Sequence, residues 1–479
     1  MNSADFAAVI PIVIVTLSAC AAMFAEAFRA PGERMPIGGL GIIGLVGAAV
    51  ASFFLWNRDA VGFGVIHADN FSLFINLVLC TIGILTILLS AQAVDTEELP
   101  RGEYYALVLF GIVGMMMMAA ASDLLVIFLA LEILSLSVYV LTGLRRSSMT
   151  GAEAAFKYFL LGSFSSAFFL YGIAFTFAVT HSTRLDAVGT ALAARAMQPG
   201  ILTLVAVGLL IVGFAFKVSA VPFHMWTPDA YEGAPTVVTA FMSTGVKAAA
   251  FAAFVRVFLS AFEPMRGEWG PILWVVAAVT MILGTVVGVM QSNVKRMLAY
   301  SSIAHAGYLL VGLVAANNSG KAAVLFYLAA YAVTNIGAFG VVALLGTRDN
   351  PHDEIRDFAG LWNRRPGVAA LMTVFLLSLG GFPPMAGFIA KWYIFYAAVQ
   401  EGYYWLAIIG VLSSVVSVFF YLRIVVMMYM TEGPIAAPRP FVSRTGLAAL
   451  AIATVVVFYL GVLPTRVLDL ALNSVSTIF

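Results

Sequence analysis

Residues 208–223 read GLLIVGFAFKVSAVPF, an apolar run that carries one lysine, Lys217, and then breaks at Pro222. Two more lysines sit in equally apolar settings, Lys247 in VVTAFMSTGVKAAAFAAF (237–254) and Lys391 in PPMAGFIAKWYIFYAAV (383–399). Glu132 stands inside DLLVIFLALEILSLSVYVL (123–141). A charge at the middle of a membrane helix costs roughly 2.5–3.5 kcal/mol on insertion scales, so four cost on the order of 10 kcal/mol. Ionisable residues at that depth mark ion paths or proton relays.

Working outward, the 479 residues are 62% hydrophobic and only 10% charged, with a mean hydropathy of +1.01. A soluble domain needs more charged surface than that. Apolar runs of about 20 residues recur along the whole chain, each long enough to cross a bilayer. The fold class is therefore an all-α polytopic membrane protein. A β-barrel would show short alternating segments instead, and these are absent. Fourteen spans are expected, at 6–28, 36–56, 70–91, 103–121, 123–144, 152–180, 199–231, 235–262, 271–290, 296–316, 321–346, 366–400, 403–430 and 445–464. The first run is preceded only by Asp5, with no basic segment, and is expected to be retained as a helix. The tail after Pro464 is weakly amphipathic and is expected at the interface.

The formal charge of +1 identifies no partner, and nothing points to nucleic acid. Cys20 and Cys80 lie in apolar spans without metal-ligand spacing, and the run Met115–Met118 reads as soft packing. No phosphate-binding glycine loop, dinucleotide fingerprint, cluster-type cysteine motif or haem-spaced histidine pair occurs. The expectation is a chain that binds no cofactor or metal and has no redox centre of its own.

Loops after odd-numbered spans hold fourteen of the 25 basic residues, against six after even-numbered spans and in the C-terminal tail. The odd loops are thereby assigned to the cytoplasm and both termini to the outside. Arg256, Arg423 and Glu26 read as side chains that snorkel to the surface. Spans seven and twelve are too long for plain helices and are interrupted, the first at Pro222 and Pro228, the second at GGFPPMAG with Pro383 and Pro384. Proline removes a backbone donor and clashes with the preceding turn. Broken helices at membrane depth are tolerated where they are buried in protein or line a wet cavity. Two of them five spans apart suggest related halves with a site near the midplane.

The candidate row is Glu132, Lys217, Lys247 and Lys391, with His224 and His305 as bridging groups. Burial favours a neutral lysine and a nearby carboxylate favours a charged one, so a Glu–Lys pair is a tunable proton switch. Histidine titrates near neutrality and suits a bridging place, whereas arginine keeps its proton. Each residue also has a plainer reading. Glu132 would then only neutralise a lysine, Lys391 would sit in a shallow hydrated pocket, and the histidines would be satisfied interior groups.

The stretch VPFHMWTPDAYEGAPTVV (221–238) resembles the signature of the antiporter-like membrane subunits of respiratory complex I and of multisubunit cation/proton antiporters. The stretches at 101–143, 151–175, 294–308 (VKRMLAYSSIAHAGY) and 380–399 narrow the likeness to the N-type subunit of the bacterial proton-pumping NADH:quinone oxidoreductase. A sibling type carries glutamate where Lys391 stands, and another has a long C-terminal extension. The resemblance implies fourteen helices with two inverted five-helix repeats and helices seven and twelve broken. Residues 1–102 would hold the first three helices, 103–262 the first antiporter-like repeat, 263–430 the second, and 431–479 helix fourteen and the tail. It implies that Glu132, Lys217, Lys247, His305 and Lys391 lie on a central hydrophilic axis, with His224 bridging. Asp229 and Glu232, also in the signature, are expected near the surface as structural or half-channel groups. The implied partners are other hydrophobic membrane-arm subunits, lipid, and a peripheral arm holding FMN and iron–sulfur clusters. The implied function is proton translocation in the bacterial inner membrane, coupled to NADH-to-quinone electron transfer elsewhere. A Na⁺/H⁺ antiporter subunit or a non-translocating structural subunit remain the alternatives.

Overall fold

A computed structural model describes residues 3–29, 36–194, 199–346, 353–433 and 443–478. Among the described residues, thirteen helices are long and apolar enough to cross a membrane, and a fourteenth crossing is made of two shorter halves. Spans one to six are Ser3–Ala27, Ile37–Leu55, Asn70–Thr96, Arg101–Ala120, Leu124–Thr142 and Met149–Thr180. Span seven is Ile201–Val218 followed, across a break, by Trp226–Gly233. Span eight runs Thr236–Ala261 and includes two π-helical turns, Met242–Val246 and Val257–Ala261. Spans nine to eleven are Arg266–Val289, Val294–Ala315 and Asn318–Leu345. Span twelve is Pro366–Gly380 plus Ala386–Gln400, and Tyr404–Met430 and Arg444–Val462 complete the set.

Polar caps start many of these helices. Asp69, Asp123, Ser148, Asn293, Asn317 and Ser443 each accept a backbone N–H of the first turn that would otherwise be unpaired. Small residues let the helices approach closely. A Cβ at Gly114 would stand 2.6 Å from the backbone N of Leu134, which keys span four into span five. Gly284 and Gly307 do the same between spans nine and ten.

Spans eight, ten and eleven form the centre and are almost wholly buried, whereas spans one, two and six lie at the rim. The loops sort by parity. At one end Asn293 bridges to Glu354, and the Ser443 N–H donates to Gln92, joining loops that follow odd spans. At the other, Ile66 bridges to Ala121, Asp123 to Arg184, and Arg266 pairs with Glu401, joining loops that follow even spans. The span count behind the charge assignment is thus consistent throughout. Arg34, Arg195, Arg348 and Arg439, part of that assignment, lie outside the described residues, as does the 347–352 portion of the longest polar loop.

Two features were not anticipated. A hairpin of β1 (Ala60–Gly62) and β2 (Ile66–Ala68) links spans two and three. A short helix, Leu185–Ala193, follows span six. The tail forms the amphipathic helix Thr465–Val475, which buries Leu468, Ala471 and Val475 against spans three and eleven.

Arg256 requires a correction. It does not snorkel: its guanidinium and the Asp69 carboxylate are both fully buried and form two hydrogen bonds of 2.8 Å. Its Nε also donates to the Ala119 carbonyl. Position along span eight suggested an end within reach of solvent, but spans three and four close over it. Arg423, half-buried in span thirteen, reaches the end of span nine, where it donates to the carbonyls of Val289 and Gln291. Glu26 pairs with Arg29 near the surface.

Candidate functional site

The site starts at span five, where Glu132, Ser135 and Tyr139 follow one another at helical spacing. Glu132 sits on a flank whose neighbours Leu129 and Leu136 are more than half exposed, at 57% and 54%. Its Oε1 accepts a 2.5 Å hydrogen bond from Ser166 of span six. Lys217, in the last turn before the break in span seven, is buried and donates to Ser135 Oγ at 2.6 Å. The rings of Tyr139 and Tyr158 flank its ammonium at 5.5 and 5.8 Å. No direct ion pair joins Glu132 to Lys217 among the described residues; each ends on a serine. Ser166 and Lys217 line a common void of about 10 Å³, close to the space one water needs.

The break itself is pinned on both sides. Ser219 closes the first half-helix in the left-handed conformation, at φ +65°. The Val221 N–H donates to Thr280 of span nine, and Trp226 Nε1 donates back to the Phe216 carbonyl. His224 lies in the break, half-buried. No hydrogen bond or ion pair joins it to the lysines among the described residues.

At the centre, Lys247 follows a π turn and donates to the Ser302 carbonyl of span ten. The Ser302 hydroxyl accepts from Tyr331 at 2.8 Å. One turn on, His305 contacts the Tyr327 hydroxyl through Nδ1 (2.6 Å) and the Tyr421 hydroxyl through Nε2 (3.3 Å). Lys391, beyond the second break, donates to the Leu379 and Gly380 carbonyls and to Ser414 Oγ at 2.9, 3.1 and 2.8 Å. Tyr308 places its ring 5.1 Å from that ammonium. Among the described residues, the Tyr158 hydroxyl and the Asn335 side-chain oxygen are buried without a hydrogen-bond partner. Buried polar groups of this kind are ordinarily satisfied by internal water.

Asp229 and Glu232 hold no row member. Asp229 pairs with Lys157 and Arg296, and Glu232 with Arg296, on the wall of a cavity of about 500 Å³. Glu97, at the end of span three, lines the same cavity. Burial raises its carboxyl above the ordinary range, while Lys295 and Arg145 pull it back. Sequence reading missed the serines and tyrosines that connect the row, and it missed Lys295. The spacing Glu132–Ser135–Tyr139 was a usable signal; the cross-helix partners had none. No group of three or more His, Cys, Asp or Glu residues fit to hold a metal occurs among the described residues.

A helical bundle with two broken spans and a buried lysine–histidine row defines the antiporter-like class of membrane subunits. The family model described as NADH:quinone oxidoreductase/Mrp antiporter, transmembrane, matches residues 121–417. A chain of respiratory complex I from Thermus thermophilus, with bound aureothin, superposes with a TM-score of 0.82 at 33% identity, covering 96% of this chain and 99% of that one. A chain of the Mrp complex from Dietzia shares the fold at a TM-score of 0.83 and 21% identity, covering 100% and 98%. NADH-quinone oxidoreductase subunit N of Trichlorobacter lovleyi is 43% identical over 98% of this chain and 97% of its own length. The chain belongs to the NADH-quinone oxidoreductase subunit N family.

Proposed function

We propose that this chain carries protons across the bacterial cytoplasmic membrane as a membrane-arm subunit of NADH:quinone oxidoreductase. The odd loops would face the cytoplasm, and both termini the outside. Flavin, iron–sulfur clusters and the quinone site would belong to partner subunits. The observation that supports this reading is the set of buried groups Lys217, Lys247, His305 and Lys391 in the interior, each held by a serine, a tyrosine or a backbone carbonyl. Residues 103–262 and 263–430 would act as two related units, each contributing a broken helix.

Glu132 lies on the exposed flank, where a neighbouring subunit can change its field. Drawing Glu132 away from Lys217 favours the neutral amine, and bringing it back favours the ammonium. The proton released by Lys217 passes inward to Lys247 and His305, and Lys391 connects to the far side. His224, on the rim of the first break, would bridge Lys217 to water. Moving one charge outward against the membrane potential costs about 2.3 kcal/mol per 100 mV, so the cycle needs the redox reaction to drive it.

The test is Lys217→Ala and Glu132→Ala in the assembled complex. NADH-driven proton pumping and coupled quinone reduction should fall, while electron flow from NADH to an artificial acceptor stays intact. Full pumping in both variants would overturn the reading. Isolation of the chain in mild detergent without flavin or iron–sulfur partners would favour a free-standing antiporter instead.

A further inference from the structure

The cavity of about 500 Å³ opens at the odd-loop end, among residues that follow spans three, five, seven, nine and eleven. At its floor lies Lys295, the second residue of span ten and only 4% exposed. Its Nζ forms no salt bridge among the described residues, because Lys157 and Arg296 already hold the Asp229 and Glu232 carboxylates. It donates instead to two backbone carbonyls, Glu232 at 2.6 Å and Ala234 at 2.7 Å, where the second half of span seven ends. The charges that act on it are Asp353, Glu97 and Glu232, with Arg145 opposing them. Arg296 and Asp229 stand beside it on the cavity wall.

Behind Lys295 the polar groups continue inward. Tyr231, one residue before Glu232, is fully buried, and its hydroxyl interacts with the side chain of Ser302. Ser302 lies seven residues along the same helix as Lys295, about 10 Å further into the membrane. Its carbonyl holds Lys247 and its hydroxyl holds Tyr331, which stacks near His305. A lysine that touches the cavity is therefore followed by hydroxyls that end on the centre of the row.

We propose that Lys295 is the proton-loading group of this chain, taking protons from water in the odd-loop cavity and passing them by the Tyr231 and Ser302 hydroxyls to Lys247. This rests on the translocation reading above. The transfer is balanced: the Lys295 ammonium gives up one proton, neutral Lys247 gains it, and water in the cavity restores the first. Tyr231 and Ser302 each accept one proton and release another, so their net state is unchanged.

Lys295→Arg separates proton loading from a clamp on the helix end. Arginine keeps a cation on the two carbonyls but holds its proton. In proteoliposomes of the assembled complex, Lys295→Arg should cut coupled turnover about 100-fold or more, the range attributed to a lost proton-transfer group. Electron input to an artificial acceptor should stay normal. Wild-type turnover in Lys295→Arg would overturn the proposal and leave Lys295 a clamp. Should that variant fail to assemble, Asp353→Asn decides. Removing this carboxylate weakens proton binding at Lys295, so the alkaline limb of the turnover–pH profile should move to lower pH. An unmoved limb overturns the proposal. Loss of pumping in Lys217→Ala alongside a normal Lys295→Arg rejects only the loading site. Full pumping in both Lys217→Ala and Glu132→Ala rejects the translocation reading beneath it.

Discussion

Lys217 and Lys391 each sit beside a break in a long span, yet they are held in different ways. Lys217 precedes its break and makes one hydrogen bond among the described residues, to a serine hydroxyl, with two aromatic rings about it. Lys391 follows its break and fills all three donors, two of them on the last carbonyls of the first half-helix. A helix C-terminus attracts positive charge, so Lys391 is fastened to the backbone that the break exposes. Lys217 can change partners without unpairing any backbone group. Under the proposed relay, the difference would place switching at the first break and a fixed relay point at the second.

The sharpest way to break that comparison is to delete each lysine in turn. Lys217→Ala should reduce coupled turnover about 100-fold or more, the scale of a lost proton-transfer group, with little change in the melting of the complex. Lys391→Ala should reduce turnover as well, but with a visible loss of stability. Each carbonyl it leaves unpaired at depth costs about 1–3 kcal/mol. Equal melting temperatures for the two variants would erase the distinction.

A second test uses the deeply buried Asp69–Arg256 pair as a reference for a charge that holds the fold together. Arg256→Ala strands the Asp69 carboxylate and should cost about 3–5 kcal/mol of stability, read as a lowered melting temperature. Turnover per intact complex should be little changed. A large loss of turnover in well-assembled Arg256→Ala complex would place this pair in the relay.

The smallest effects come from the serines. Ser135→Ala takes away the one hydrogen-bond acceptor that Lys217 has among the described residues and should raise the barrier to coupled turnover by about 1.5–3 kcal/mol, the worth of a hydrogen bond to a charged group. Ser414→Ala leaves Lys391 its two carbonyls and should cost about 1 kcal/mol or less. A reversed order in turnover assays would mean that the fixed and mobile lysines have been assigned the wrong way round.

The fold was legible because membrane burial writes itself into composition. Runs near Lys217 and Lys391 displayed both their length and their prolines, and the fourteen crossings followed. The row's members were legible for the same reason, since a lone lysine in Phe, Val and Ala is conspicuous. Its wiring was not. Ser166, Ser302, Tyr327 and Tyr421 are common residues of membrane helices, and only packing brings them to Glu132, Lys247 and His305. Arg256 misled because distance along a helix says nothing about which neighbours close over it. Lys295 escaped because it opens its span, where a lysine is expected to reach water.

The Asp69–Arg256 pair has a further consequence for where protons cannot go. It plugs the even-loop end of span eight with a buried ion pair whose two charges balance. Under the proposed translocation, such a pair offers no free group there to take up or release a proton. The first half of the protein would thereby be insulated at that end, and outward release would fall to the half that contains Lys391. Loss of this insulation should appear as a passive proton leak in Arg256→Gln/Asp69→Asn vesicles held without NADH.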